Sequence, residues 1–274
     1  MLKLLFLFLF ITFSSYSGAE KKLPKWEAGL WAGGLIIPDY RGSSETQYYV
    51  LPLPYFIYRS ERFQVSGKEA KGLLYKSKNI QINLSGRVNL PVDSDENAAR
   101  AGMSDIDTAL LMGSTLHYKL YQKENNKLSF RFPLQAVFST DFSRINHRGF
   151  TFSPSIFMNR KAQWNSSFSL AFLFSTQLYN EYYYGVSENN VRLGRAYYQP
   201  NGGYGGIRMT LDMKRKLKKY NVGGFVLYDN LSRATYETSP LVTKPENFTV
   251  GIYFTYQFAK SKQLVRSSFE APDE

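Results

Sequence analysis

Between residues 247 and 258 the chain reads NFTVGIYFTYQF, and apolar and polar positions alternate almost without a break. Phe248, Val250, Ile252, Phe254, Tyr256 and Phe258 share one face, and Thr249, Gly251, Tyr253, Thr255 and Gln257 share the other. A period of two residues belongs to an extended strand with one apolar and one polar side. The pattern recurs upstream. In 79–89, Ile80, Ile82, Leu84 and Val88 oppose Asn79, Gln81, Asn83, Ser85, Arg87 and Asn89. In 127–141, Leu128, Phe130, Phe132, Leu134 and Phe138 oppose Ser129, Arg131, Gln135, Ser139 and Asp141. In 164–179, Trp164, Phe168, Leu170, Phe172, Phe174 and Leu178 oppose Asn165, Ser167, Ser169, Ser175 and Gln177. A weaker case is 203–214, where Ile207, Met209, Leu211 and Met213 oppose Arg208, Thr210, Asp212 and Lys214. The pattern predicts about twelve strands, near 26–37, 46–58, 61–67, 70–76, 79–89, 107–121, 127–141, 149–159, 164–179, 203–214, 219–231 and 247–258.

Strand length separates two fold classes. Strands of soluble sandwiches average about 5–6 residues, whereas a strand tilted across a bilayer needs about 9–11. Most of the segments reach the second length. The connections alternate as well: 232–246, 180–202 and 90–106 are long, 142–148 is intermediate, and 215–218, 160–163 and 122–126 are short. Outer-membrane barrels have short periplasmic turns and longer external loops, so this phase places residue 258 on the periplasmic side with every short turn. The N-terminal third is less regular. Pro52 and Pro54 fall inside the 46–58 segment, where proline cannot donate to the ladder, and 61–76 is short and contains glycine. Ten strands therefore stand beside twelve as an alternative. The expected fold is all-β, a transmembrane antiparallel up-and-down β-barrel.

Export fits that fold. Met1–Lys3 give a short basic start, Leu4–Phe13 an apolar run, and Ser17-Gly18-Ala19 a small-x-small cleavage site, which together read as a signal peptide over 1–19. The expected organisation is signal peptide 1–19, barrel 20–258 and a polar periplasmic tail 259–274. The apolar run is shorter than the roughly 20 residues of a spanning helix, and no other stretch reaches that length. A chain without such a helix can cross a membrane only as a closed barrel. It has no cysteine, which excludes disulfides, thiolate metal sites and cysteine nucleophiles. Aromatics make up 16%, with 21 Tyr and 21 Phe, yet the mean hydropathy is −0.33. An apolar exterior and a polar interior average to such a value. The net charge of +12 on an exported chain points away from nucleic acid and towards anionic outer-membrane lipid, lipopolysaccharide or acidic solutes.

Candidate chemistry is sparse. Basic residues crowd the expected periplasmic rim: Lys76 and Lys78, Lys123 and Lys127, Arg160 and Lys161, and the run Lys214, Arg215, Lys216, Lys218 and Lys219, joined by Lys260, Lys262 and Arg266 in the tail. They form either a ring that docks an acidic periplasmic partner or ordinary turn charge attracted to anionic headgroups. The inner face carries Arg87, His117, Lys119, Arg131 and Arg208, which either favour anions in a pore or pair with neighbours and fill a small barrel. A membrane hydrolase would need a serine with a histidine base. Of the two histidines, His117 is expected inside near the periplasmic end and His147 in an external loop, without a recognisable motif. No metal-ligand spacing or phosphate-binding glycine loop occurs, so no catalytic, cofactor or metal residue is assigned. Asp93, Asp95, Glu96, Asp105 and Asp107 read as solvated charge of an external loop.

Specific strings add to this. PDYRGS (38–43) followed by VLPLPYFIYRSERF (50–63) resembles the N-terminal signature of the MipA/OmpV family of outer-membrane proteins. YYYGVS (182–187), ahead of a glycine-rich strand start at 202–206, resembles that family's second signature, and the closing Tyr256-Gln257-Phe258 is similar too. The resemblance runs over nearly the whole mature chain; the tail 259–274 and the high lysine and tyrosine content depart from it. It implies an outer-membrane barrel without catalysis or cofactor. It also implies a scaffold or envelope-assembly role, since the name-giving member links a lytic transglycosylase, a murein hydrolase, to a bifunctional murein synthase. Other members are tied to osmotic and antibiotic responses. No site residue follows from it, and PDYRGS and YYYGVS read as tight turns and girdle aromatics. The alternatives from the residues are a small basic porin for anionic solutes and a lipid-modifying enzyme.

Overall fold

The structure, a computed structural model, describes residues 22–67 and 69–269; the expected signal peptide lies outside them. The strands are β1 (Lys22–Pro24), β2 (Trp26–Pro38), β3 (Thr46–Arg59), β4 (Phe63–Ser66), β5 (Glu69–Lys76), β6 (Ile80–Asn89), β7 (Thr108–Lys123) and β8 (Asn126–Thr140). They continue as β9 (Ile145–Phe152), β10 (Ser155–Arg160), β11 (Asn165–Ser175), β12 (Gly203–Leu217), β13 (Tyr220–Asn230), β14 (Glu246–Lys260) and β15 (Leu264–Arg266). One helix, α1 (Gln177–Tyr184), lies in the loop between β11 and β12.

β2 to β14 form one antiparallel sheet that closes on itself as a barrel of twelve staves. β9 and β10 share one stave between β8 and β11. The closing pair is β14 with β2, from Val250↔Ile36 to Lys260↔Glu27. The ladder thus satisfies backbone groups that lipid cannot.

The alternation sorts as expected. On β14, Phe248, Val250, Ile252 and Phe254 are exposed outward while Asn247, Thr249 and Gly251 are buried inward. On β6 and β8 the inner positions Asn83, Ser85, Ser129, Gln135 and Ser139 are buried, and Leu84 and Leu134 are exposed outside.

Three departures have local causes. The stave expected at 149–159 begins at Ile145 and breaks at Ser153-Pro154, because Pro154 has no N–H for the ladder. The strand expected over 164–179 stops at Ser175. After Thr176 the segment QLYNEYYY, free of β-branched residues and glycine, winds into α1, so Gln177 and Leu178 belong to a helix. That helix packs Tyr179 against Ala109, Leu111 and Val137 of the barrel wall. Finally, the tail does not simply leave the barrel: β15 pairs with β1, Lys22↔Arg266 to Pro24↔Leu264, and Ser267 and Phe269 are buried.

Close packing of the wall is testable at Gly113, where a Cβ would lie 2.0 Å from the Leu134 carbonyl oxygen. Gly113→Ala should lower the unfolding midpoint in urea by an amount equivalent to about 1–3 kcal/mol. Gly86→Ala, whose Cβ would meet only Met112 Cγ at 4.0 Å, should leave it unchanged, as read by heat-modifiable gel migration.

Candidate functional site

The mouth on the long-loop side, expected to be the external one, is closed by its own loops. Loop 39–45, between β2 and β3, turns inward and is held by the residues of PDYRGS. Arg41 donates from Nε to Asp229 Oδ1 at 3.0 Å, from Nη2 to the Gly205 carbonyl at 2.9 Å, and from Nη1 to Tyr236 Oη at 3.4 Å. Asp229, on the inner face of β13, also accepts two bonds from Arg208 of β12, at 2.9 and 2.8 Å. The carboxylate is almost fully buried between two guanidinium groups. Around it, Tyr40 Oη donates to the Leu241 carbonyl at 2.8 Å. Asn247 accepts from Gly42 N–H at 2.6 Å and donates to the Ser43 carbonyl at 2.7 Å. Asn97, from loop 90–107, donates to Asp39 and Ser43.

The second string meets the first here. Tyr184 stacks on Tyr236 with ring centroids 3.9 Å apart and donates to the Arg41 carbonyl at 3.0 Å. Val186 and Tyr198 exchange backbone hydrogen bonds, and Tyr182 Oη accepts from Asp107 N–H. Tyr40, Ile106, Tyr184, Leu231, Ala234 and Tyr236 form one buried cluster from four loops. Burial pushes the Tyr40 phenol up to about 12, partly offset by the Arg100 charge beside it. Both strings therefore build the plug, as turns and packed aromatics.

A cavity of about 740 Å³ opens outside the plug, among Arg100, Asp105, Arg148, Glu181, Tyr182 and Gln199. Its charged groups are engaged locally. Arg148 lies 4.1 Å over the Tyr182 ring and donates to Ser139, and Arg100 donates to Ser94, Tyr183 and Ser104. In the acidic loop, Asp105 accepts from Ser94 N–H, Asp93 from Asp95 N–H and Asp95 from Gly102 N–H. Among the described residues no group of acids and histidines is arranged to hold a metal.

The five basic residues expected on the inner face are there by register, in two groups: His117 and Arg131 are direct partners across β7–β8 with Lys119 two residues on, and Arg87 and Arg208 lie near each other further up the barrel. Arg208 is tied to Asp229. Arg131 lies 3.3 Å over the Phe157 ring, and His117 shares a hydrogen bond with Asn83 at 3.2 Å. Lys119 faces Ser129 across the β7–β8 pair. Arg87 is exposed to the lumen and reaches Gln135 at 3.4 Å. His147 is on β9 rather than in a loop, between the rings of Phe138 and Phe150.

The short-turn end, expected to be the periplasmic one, holds a second buried ion pair that periodicity did not reveal. Arg59 donates to Glu27 at 2.7 Å and to the Pro24 carbonyl at 3.4 Å, and Gln257 donates to the other Glu27 oxygen. Arg59 and Glu27 point inward, and the bond to Pro24 ties β1, and with it β15, to this pair. The basic run nearby is not one surface: Lys214 and Lys216 take the inner side of β12, Arg215 the outer side above Trp164, and Lys218 and Lys219 lie in the turn. A charged residue inside an alternating strand was the available signal for Asp229, Glu27 and Arg59, since such a residue needs a partner.

Residues 30–258 match the family described as MltA-interacting protein MipA. The chain belongs to that family. As a MipA-family protein it is an outer-membrane β-barrel. Among solved structures it is similar to a Pseudomonas aeruginosa FadL homologue, at 7% identity over 85% of this chain and 90% of that one, with a TM-score of 0.31. It is also similar to the outer membrane protein OprD from Pseudomonas aeruginosa, at 7% identity over 93% and 100% of the two chains, with a TM-score of 0.28. No curated protein matches the chain by sequence.

Two outcomes test the plug of this MipA-family barrel. Asp229→Ala leaves two guanidinium groups without their carboxylate and should cost about 3–5 kcal/mol, read as trypsin cleavage after Arg233 and Lys244 at lower urea. The second is alkaline. Tyr40 binds its proton more tightly in the folded state, so its contribution is complete below its ordinary pKa near 10 and is lost as pH rises towards about 12. Protection of the loops should fall across that window. Tyr40→Phe should start less protected, lacking the bond to Leu241, and show a shallower alkaline fall.

Proposed function

We propose that this MipA-family barrel, exported through residues 1–19, is an outer-membrane scaffold whose periplasmic face docks murein-processing proteins. The observation that carries this reading is the contrast between the two ends. The external mouth is roofed by a packed plug, while the periplasmic end presents a folded ribbon and short lysine-rich turns. The family's description, MltA-interacting, names a protein contact and no reaction. A cationic rim beside the peptidoglycan suits acidic partners such as a murein hydrolase and its synthase, and electrostatic complementarity speeds their encounter. The reading is non-enzymatic and needs no cofactor; its remaining contacts are with lipid and lipopolysaccharide.

A second reading, a narrow anion-selective channel, is favoured by the basic inner wall and by Arg87 facing the lumen. A lipid-modifying enzyme gains no such support. Purified full-length barrel on a support should retain murein hydrolases and synthases. Replacing Lys216, Lys218 and Lys219 with Gln should weaken retention about tenfold and flatten its salt dependence. Retention indifferent to these changes would reject rim docking, and anion-selective steps in planar bilayers would favour the channel.

A further inference from the structure

β3 carries an edge that the ladder leaves bare. On one side it pairs with β2 along its length, from Trp26↔Tyr58 to Pro38↔Thr46. On the other it meets β4 only at Ile57, Tyr58 and Arg59. β4 has four residues and β5 eight, so their hairpin reaches only to Ser66 and Glu69. Ser66 is level with Ile57 of β3, and Glu69 with Arg87 of β6. Among the described residues no strand pairs with 46–56 on that edge. At about 3.3 Å per residue the bare edge runs on the order of 30 Å.

Which backbone groups face the gap follows from parity. Arg59 N–H donates to the Lys25 carbonyl at 2.7 Å, on the β2 side, and Ser60 N–H to the Phe63 carbonyl on the β4 side. With an unbroken register, the odd residues of β3 bond to β2 and the even ones point into the gap. Those are Thr46, Tyr48, Val50, Pro52, Pro54 and Phe56. An unpaired N–H in hydrocarbon is costly, and Pro52 and Pro54 have none. They make the bare edge tolerable and also deny donors to any strand that would add to it.

The side chains continue the pattern. Residues 50–54 are exposed on both faces, and Leu51 and Leu53, on the inner face, are 43% and 44% exposed. With Val50, Pro52 and Pro54 on the outer side and Leu51 and Leu53 on the inner, an apolar strip leads from lumen to lipid through the gap. Loop 90–107 roofs it, with Ala98 N–H donating to the Glu45 carboxylate. At the far rim stands Arg87, exposed to the lumen, its guanidinium 3.4 Å from Gln135. Its cross-strand neighbour Glu69 attracts it from beyond ion-pair distance and is itself paired with Lys71 at 2.8 Å.

We propose that this gap is a lateral opening through which a single-chain amphiphile with an anionic head passes between lumen and membrane. The hydrocarbon chain lies along Leu51 and Leu53, and Arg87 receives the head. A hydrophilic solute gains nothing from an apolar strip open to lipid, and a neutral hydrocarbon would leave the guanidinium unused.

The native chain lacks cysteine, so single labels report cleanly. In nanodiscs a nitroxide at Leu51→Cys should be reached by dissolved oxygen as a lipid-facing site is, whereas one at Thr255→Cys, on the inner face of β14 and paired with Asn221 of β13 and Trp31 of β2, should not. Dansyl-undecanoate should bind wild-type barrel saturably. Arg87→Gln and Leu53→Asp should each weaken it about tenfold, with heat-modifiable migration confirming that both variants fold. Equal oxygen access at the two labels, absence of saturable binding, or binding indifferent to both substitutions would overturn the proposal. So would a Val50→Cys disulfide dimer, which would show a second copy covering the edge.

Discussion

Hydrocarbon offers no partner to a peptide group, and that single constraint organises this barrel. It requires the first and last staves to meet, which β2 and β14 do from Val250↔Ile36 to Lys260↔Glu27. It explains why the chain turns apolar residues outward and buries asparagine, serine and threonine within. It also gives the exception its meaning. Where β3 runs beyond the short β4–β5 hairpin, prolines stand at two of the positions whose N–H would face lipid.

Charge obeys the same logic at the two mouths. Asp229 between Arg41 and Arg208, and Glu27 with Arg59, are buried ions that would be expensive alone and are acceptable when paired. Each pair ties a loop or ribbon to the wall, Asp229 holding loop 39–45 and Arg59 holding β1 with its partner β15. The five inner basic residues fall at two levels, with His117 and Arg131 direct partners across β7–β8.

Much of this was legible before the fold was known. Alternation marked the wall strands, and the alternating loop lengths separated the end with short turns from the end with long loops, because both follow from local geometry. The helix α1 was not legible: Gln177 and Leu178 continued a period-two pattern by chance, and only the packing of Tyr179 inside the barrel distinguishes the two forms. The partners of Asp229 and Arg59 were hidden for a similar reason, since Arg41 and Asp229 are far apart in sequence and meet only when the loop folds inward. Pro52 and Pro54 were visible as interruptions, but their direction depends on the parity set by Arg59 and Lys25.

That parity is open to direct observation through amide hydrogen exchange of the barrel in lipid nanodiscs. Tyr49, Leu51, Leu53 and Tyr55 should exchange as slowly as residues of β13 and β14, and Tyr48, Val50 and Phe56 much faster. Slow exchange at Tyr48, Val50 and Phe56 would show a partner on the β3 edge and contradict the account.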